Sequence, residues 1–323
     1  MKVFIAGATG VLGRRLIRQL RERGHAVTGL ARNASNEETI RSLGGEPRAG
    51  DLFDANSLAR AAEGAEVVIH AATAIPVSSR PAVADWKMND RIRVDGARAL
   101  AEATARAGAN MLVVQSITWI ARPADESAFD EDSPFHADPS IRSTADMEMI
   151  ARETGARSGF RTTILRCGWF HAPDAVNTRA FGELLAARKL PILVSKGGKS
   201  DAVWSLVHVD DAASAFVAAT EAGRSGLWHV TDNEPVLSEK YLRELAKRIG
   251  APKPRRVPAW LAKWIAGESA VNFMTASTRT SNARFRRDFG WSPKFPGYRE
   301  ALDEIVAAWR AENFLGLGKK AAA

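Results

Sequence analysis

The chain has 323 residues, a formal net charge of +8 and 46% hydrophobic residues, which suits one large domain or a large and a smaller one. A single cysteine, Cys167, excludes a disulfide framework and indicates a reducing compartment, so we expect a cytoplasmic protein. The apolar stretches have the length of strands, and the basic residues are spread along predicted helices. We therefore expect neither a membrane segment nor a nucleic-acid site. The six histidines are scattered and give no metal-ligand spacing.

The first predicted unit is a strand, a glycine turn and a helix. An apolar run from Val3 ends in three spaced glycines, and a helical pattern of apolar residues follows at once. The first glycine allows a sharp turn, the second lets backbone approach a phosphate, and the third lets the helix pack closely on the strand. This pattern predicts a dinucleotide site in which the helix N-terminus meets the pyrophosphate. Its predicted contacts are Gly7, Thr9, Gly10, Val11, Leu12 and Gly13.

Strands and helices then alternate along the first half of the chain. The predicted strands are residues 25–32, 46–52, 66–72, 111–117 and 161–167, and the predicted long helices are residues 86–107 and 141–158. This order indicates an α/β fold with a doubly wound parallel sheet of the Rossmann type. We expect residues 1–170 to form the dinucleotide-binding domain. Residues 171–315 are expected to form mainly a smaller α/β substrate lobe, with room for part of it to return to the sheet, and residues 316–323 a flexible tail.

The end of the second predicted strand bears on the choice of cofactor. NAD is usually held there by an acidic residue, about 20 residues after the glycine turn. Arg32 occupies this place, and no carboxylate follows until Glu37. Because a guanidinium pairs with a 2′-phosphate, NADP(H) is favoured over NAD(H), the alternative being a surface arginine beside NAD. Asp51, at the end of the third predicted strand, is expected either to bind the adenine amino group or to cap a turn.

Several ordered motifs resemble those of the extended short-chain dehydrogenases/reductases, the group of the NAD-dependent epimerases and dehydratases. They are the glycine turn, Asp51-Leu52, His70-Ala71-Ala72, Leu165-Arg166-Cys167-Gly168, His208-Val209-Asp210-Asp211 and Phe289-Gly290-Trp291-Ser292-Pro293. The resemblance covers nearly the whole chain and implies the Rossmann fold, a bound dinucleotide and a C-terminal lobe for a small-molecule substrate. It places Leu52, Ala71 and Ala72 beside the cofactor, and it implies a homodimer through the two long helices.

The catalytic residues of that family do not carry over to this chain. Active members use a Ser or Thr after the fifth strand and a Tyr-x-x-x-Lys on the next helix, where the tyrosine exchanges a proton with the substrate. Ser116 matches the first requirement, with Thr118 as an alternative. Ser140, however, stands at the tyrosine position and Thr144 at the lysine position.

The missing pair makes the chain an atypical member of the family it resembles. Its two tyrosines are Tyr241 and Tyr298, and no lysine lies between Lys87 and Lys189, so no shift of register restores the pair. A serine hydroxyl is a poor acid or base at neutral pH, and loss of a positioned acid typically costs about a hundred- to ten-thousand-fold in rate. Carbonyl reduction by the usual residues is therefore not expected. Arg93 stands where the family has a helix asparagine, which is a further departure.

Four side chains are candidates for replacement chemistry. His136 precedes the pocket helix, His171 follows the sixth predicted strand, and Asp146 and Glu148 lie in the helix itself. His171 is the preferred candidate because a histidine titrates near neutral pH, although a buried structural histidine is the simpler interpretation. The two carboxylates are expected on a solvated or salt-bridged helix face. Four aromatic residues at the predicted pocket edge could stack on a flat substrate or belong to the core: Trp119, Trp169, Phe170 and Trp204.

Three functions remain open from the sequence. The preferred one is an NADP(H)-dependent oxidoreductase that acts on a small carbonyl or enone substrate with non-standard acid/base residues, because the cofactor carries the hydride and the protein mainly orients it. The second is an NADP(H)-binding sensor or regulator without turnover. The third is an enzyme that retains its cofactor through an epimerisation or rearrangement, for example of a nucleotide sugar.

Overall fold

The computed structural model describes residues 1–76, 83–135, 141–195 and 200–322 of the chain. Its strands are β1 (Lys2–Ala6), β2 (Ala26–Ala31), β3 (Glu46–Ala49), β4 (Val67–His70), β5 (Met111–Ile117), β6 (Arg161–Cys167), β7 (Trp169–His171), β8 (Ile192–Val194), β9 (Val203–Trp204), β10 (Leu206–His208), β11 (Gly226–Val230), β12 (Val236–Leu237) and β13 (Arg256–Pro258). Seven of them form one sheet in the order β11-β6-β5-β4-β1-β2-β3, and every neighbouring pair is parallel. This confirms the predicted doubly wound α/β fold.

The α-helices of the described ranges connect and cover these strands. They are α1 (Val11–Glu22), α2 (Ala34–Ser42), α3 (Ala55–Ala61), α4 (Val83–Arg91), α5 (Ala97–Arg106), α6 (Arg142–Ser158), α7 (Val176–Ala186), α8 (Val209–Ala222), α9 (Ser238–Arg248), α10 (Ala259–Ala266), α11 (Glu268–Thr275), α12 (Ala283–Phe289) and α13 (Tyr298–Ala311). The long helix predicted for residues 86–107 is interrupted, since a π-helical segment, Ile92–Gly96, separates α4 from α5. Such segments are frequent at functional sites.

Two apolar layers cover the two faces of the sheet. Successive side chains of a strand point to opposite faces, so Val3 and Ile5 of β1 join one cluster and Phe4 and Ala6 join the other. The first cluster contains α1 and α8, and the second contains α3, α5 and α6. β1 lies between β2 and β4, where the strand order reverses, and open α/β sheets bind ligands at the carboxyl ends of such strands.

A third apolar cluster lies in the C-terminal part of the chain. It includes residues of two short strand pairs, β10 with β7 and β12 with β9, together with Trp169, Trp204 and Trp309, and a third short pair joins β13 to β8. β11 belongs to the range predicted for the substrate lobe, yet it pairs with β6 in the central sheet. Leu317 is buried in the third cluster, within a 3-10 segment over Phe314–Ala322. The division at residue 170 and the flexible tail remain predictions.

Candidate functional site

The glycine turn joins β1 to α1 at the carboxyl edge of the sheet. Gly7 has a φ of +90°, and a Cβ there would lie 2.5 Å from the backbone of Ala71. A Cβ at Gly13 would lie 2.1 Å from the carbonyl oxygen of Gly7, so neither position can hold a side chain without a shift of backbone. α1 begins after Gly10 without a side-chain cap or an acidic residue in its first turn. The free N–H groups of this turn therefore fit an anion such as a pyrophosphate.

The other residues predicted for the cofactor lie around this turn. Thr9 is in the turn, and Val11 and Leu12 open α1, with Leu12 buried in the core. The carbonyl oxygen of Thr9 accepts a hydrogen bond of 2.8 Å from Arg14. Arg14 also pairs with Asp174, at 2.5 Å, so part of the basic surplus links α1 to the chain after β7.

The adenosine side of the cleft lies beyond β2 and β3. Arg32 is exposed directly after β2, and Glu37, the first carboxylate to follow, pairs with Arg41 at 2.9 Å. Asp51 accepts a hydrogen bond of 3.0 Å from the Phe53 backbone, so it stabilises a turn, which was one of its two predicted roles. After the end of β2 the structure thus places an exposed cation, and the first carboxylate that follows it is held in an ion pair.

Ser116 is part of a buried ionic network. Its hydroxyl donates to Glu148 at 2.5 Å, and Glu148 receives two further hydrogen bonds, of 2.9 and 2.7 Å, from Arg166. The side chains of Glu148 and Arg166 are only 7% and 8% exposed. Glu148 therefore ties α6 to β5 and β6, whereas Asp146 pairs with the exposed Arg142 on the outer face of the helix. A catalytic role for Ser116 remains a prediction, and its hydroxyl is already engaged.

Other side chains proposed for catalysis have no such partners. The hydroxyls of Thr118 and Thr144 are buried and unpartnered among the described residues, as are both ring nitrogens of His171. Burial, with a smaller effect of His208, lowers the pKa of His171 to about 3, so its imidazolium form is absent at neutral pH. A role for His171 as a general acid is thereby disfavoured. His136 and Ser140 lie outside the described residues.

A buried cation lies near the position of the missing lysine. Arg93, in the π-helical segment, places Nη1 3.5 Å from the hydroxyl of Ser143, which itself donates to Asp90 at 2.7 Å. Burial lowers the pKa of Arg93 to about 10, so the guanidinium remains protonated at neutral pH. Ser143 directly precedes Thr144, so Arg93 reaches the first turn of α6. The sequence showed an unusual residue here, and only the fold shows which helix it contacts.

Three of the four predicted aromatic residues come together, with two further rings, whereas Phe170 packs against the first apolar cluster. Trp169 stacks on Trp204, with ring centroids 4.9 Å apart and planes 13° apart, and on Phe273 at 4.3 Å and 27°. Phe181 stacks on Trp204 at 6.1 Å, and Trp119 leans on Trp169 at 5.9 Å. We call the rings of Phe181, Trp204, Trp169 and Phe273 the aromatic column. Phe273 and Phe181 were not predicted, because nothing in their local sequence indicates a contact with Trp169 or Trp204.

The comparisons with known proteins agree with this cofactor cleft. The model of the NAD dependent epimerase/dehydratase family matches residues 3–230. The chain belongs to this family. It is an atypical extended member, in whose sequence no tyrosine precedes Tyr241 and no lysine lies between Lys87 and Lys189. Membership makes it an NAD(P)-binding protein of the oxidoreductase and epimerase type.

Relatives and solved structures extend the comparison over the whole chain. A Streptomyces protein named 3-diazoavenalumate denitrifying reductase is 36% identical over 314 residues, which are 94% of this chain and 99% of that protein. A ceramide reductase from Caulobacter vibrioides is 30% identical over 261 residues, 79% of this chain and 72% of that protein. The structure of the human epimerase family protein SDR39U1 with NADPH matches with a TM-score of 0.79 and 18% identity, covering 95% of this chain and 99% of that one. This last likeness shows the fold alone.

Two further observations concern the described part of the chain. None of its helices has both the length and the apolar character of a membrane span. Within the same ranges, no three side chains of His, Cys, Asp or Glu are grouped as a metal site would require.

Proposed function

We propose that the protein is an NADP(H)-dependent reductase that gives hydride to a carbon whose reduction needs no proton from a tyrosine. Two observations together support this proposal. The cofactor turn admits no side chain at Gly7 and Gly13, as a dinucleotide site requires, but the chain lacks the tyrosine and lysine with which the family protonates its substrates. His171 does not replace the tyrosine as an acid, because its pKa is lowered to about 3. A sensor without turnover would not require the buried aromatic column beside the cleft.

The preference for NADP(H) is supported by residues on the adenosine side. The first turn of α1 would hold the pyrophosphate through its N–H groups, and the exposed Arg32 would pair with the 2′-phosphate. The bound dinucleotide would supply the hydride.

A diazo compound is the substrate class that best suits a site without a positioned acid. Reduction of a carbonyl leaves an alkoxide that has to be protonated. An arenediazonium carbon that accepts hydride instead becomes a C–H carbon and releases N2, so charge and atoms balance without a proton. The Streptomyces relative is named for the reduction of a diazo compound, and its similarity spans almost the entire chain. Arg93 and the aromatic rings then need only orient the reactants and exclude water.

Deuterium transfer tests this proposal directly. NADPH deuterated at one face of its transferable position is mixed with para-carboxybenzenediazonium, with and without protein, and the arene is analysed by mass spectrometry. We expect deuterium in the arene from one face only, N2 release and a rate that saturates with substrate. Because free NADPH can reduce diazonium salts slowly, the protein-free reaction is the control. Transfer without facial selectivity, or at the protein-free rate, would rule the proposal out.

Carbonyl reduction is the second candidate, and the ceramide reductase relative favours it. The same assay with a panel of ketones, aldehydes and enones separates the two functions. If a carbonyl compound is reduced faster than the diazonium salt, an acid that has not been recognised must replace the tyrosine.

We also infer a homodimer through α5 and α6, as the family resemblance implies. Met149 of α6 is 48% exposed although it is large and apolar, which suits a contact surface. Light scattering during gel filtration should give twice the monomer mass of 34.9 kDa. Met149→Glu should shift that mass towards the monomer.

A further inference from the structure

Two tryptophans of the aromatic column differ from the other buried tryptophans. Buried indole N–H groups normally donate a hydrogen bond, and Trp228, Trp291 and Trp309 do so, each at 2.8 Å. Trp169 and Trp204 are 4% and 0% exposed, yet Nε1 of each has no partner among the described residues. Ordinary core packing does not account for two neighbouring indoles with unmet donors.

A third side chain whose hydrogen-bonding groups have no partner among the described residues lies beside these two indoles. Both ring nitrogens of His171 are unpartnered, and His171 is 2% exposed. Trp169, Trp204 and His171 together line a cavity of about 10 Å³, the space of about one water molecule. A neutral imidazole has one N–H, so the three side chains offer three donors. The cavity therefore suits an acceptor, such as a carboxylate or carbonyl oxygen.

The outer end of the aromatic column is covered by a ring that is partly in solvent. Phe273 is 46% exposed and stacks on Trp169, which is 4% exposed, and Trp204, the ring beyond Trp169, is fully buried. Phe273 lies on α11, which follows α10 at Gly267, where φ is +87° and a Cβ would meet nothing within 4 Å. α10 is itself poorly covered, since Trp264 is 87% exposed. Phe273 is therefore the most exposed ring of the aromatic column and the one that a ligand would displace first.

The covered face of Trp169 lies at the edge of the sheet where the cofactor is expected. β7 follows β6 after one residue, and Trp119 follows β5, so both indoles lie near the carboxyl ends of central strands. A planar ring against Trp169 would therefore lie near the carboxyl ends of the central strands, where open α/β sheets bind ligands. Phe273 occupies the position that such a ring would take.

We propose that the Trp169 face now covered by Phe273 is a binding site for a planar aromatic ring that carries a hydrogen-bond acceptor. The ring replaces Phe273 at the end of the aromatic column, and the acceptor meets the donors of Trp169, Trp204 and His171. The inference rests on the proposed function in identifying this ring as part of the substrate. It depends on no turnover, so binding of an unreactive arene can test it separately.

Calorimetry with three unreactive probes tests ring and acceptor in turn, with the protein saturated by NADP+. Cinnamate has both features, 3-cyclohexylpropanoate has the carboxylate without the aromatic ring, and cinnamylamine has the ring with only a donor. We expect cinnamate to bind about tenfold more tightly than either of the others, which corresponds to about 1.4 kcal/mol. Equal binding of the cyclohexyl probe would overturn the aromatic site. Tighter binding of cinnamylamine would show cation–π capture and overturn the donor cavity.

Substitutions in the aromatic column identify the position of the ring. Trp169→Leu should weaken cinnamate about tenfold, as loss of a stacked pair predicts, while NADP+ affinity remains as evidence of a folded cofactor site. Phe273→Ala should strengthen cinnamate binding several-fold because no ring has to be displaced, and Phe273→Trp should weaken it. Trp264→Ala removes an aromatic ring from the same helical pair and should change nothing. Weaker cinnamate binding in Phe273→Ala would refute the displacement of Phe273. If arenes bind as expected but no hydride is transferred, the proposed function fails and this site stands.

Discussion

The glycine turn and α6 differ in how much of the family pattern their residues keep. The turn works through backbone, and the two glycines that define it leave no space for a Cβ. The family's tyrosine and lysine work through their side chains, and the sequence predicts Ser140 and Thr144 at their positions. The comparison teaches that cofactor binding and fold are constrained by geometry, whereas the chemistry can change with a few side chains.

Glu148→Gln should have the largest effect on stability, because Glu148 joins α6 to Ser116 of β5 and to Arg166 of β6. The substitution leaves the buried Arg166 without its carboxylate, which typically costs about 3–5 kcal/mol. Urea unfolding monitored by circular dichroism measures this loss. Asp146→Asn, on the exposed face of the same helix, is the matched control and should cost less than about 0.5 kcal/mol. Similar losses for the two variants would mean that the network does not hold α6 in place.

The glycine turn can be tested by adding the one atom that it excludes. Gly13→Ala places a Cβ 2.1 Å from the Gly7 carbonyl oxygen, so we expect NADPH affinity to fall at least about a hundredfold, or about 2.7 kcal/mol. Calorimetric titration with NADPH gives the affinity. Gly24→Ala is the control, because its φ of +81° is equally unusual for alanine while the space around it is open. Unchanged NADPH binding in Gly13→Ala would show that the turn is more adaptable than its geometry indicates.

The same contrast explains what could be predicted from the sequence. β5 and β6 have the predicted bounds, because each contains a run of apolar and β-branched residues between turn signals, which specifies a strand locally. The π-helical segment at Ile92–Gly96 was not predicted, since it adds one residue to a turn without a change in the apolar pattern. Glu148 was expected on a solvated or salt-bridged face, and only the position of Arg166 on β6 explains why its ion pair is buried.

Less of the candidate site than of the fold could be predicted from the sequence. The glycine turn and Arg32 could be proposed because each acts through its local position after a strand. Phe273 could not, because its contact with Trp169 joins parts of the chain that are distant in sequence. The Nε1–H groups of Trp169 and Trp204 have no acceptor among the described residues, and this depends on which atoms of distant segments pack beside them, which a sequence does not show.

The burial of His171 should make the stability of the protein depend on pH. Its pKa is about 3 in the folded protein and near 6.5 when unfolded, so the unfolded chain takes up the proton first and stability is lost as the pH falls below about 6.5. Between pH 7 and 5, His171 alone should account for about 2 kcal/mol of this loss. Urea unfolding at pH 7 and pH 5 should therefore show about 2 kcal/mol less loss in His171→Gln than in the unsubstituted protein. Identical losses would place the acid sensitivity elsewhere, for example at His70 or His229, whose pKa values burial also lowers.

On the cofactor side, Arg32 provides the smallest and most selective test. Arg32→Asp should weaken NADPH about tenfold, or about 1.4 kcal/mol, because a carboxylate would repel the 2′-phosphate, and it should leave NADH binding unchanged or stronger. Arg48→Asp makes the same charge change on β3, where Arg48 is 44% exposed, and serves as the control for long-range charge. The ratio of NADPH to NADH affinity is the deciding measurement, since a general electrostatic effect moves both affinities in both variants. A ratio that falls in Arg32→Asp alone would mean that the cation after β2 selects the cofactor, whereas equal losses for NADPH and NADH would make Arg32 an ordinary surface residue.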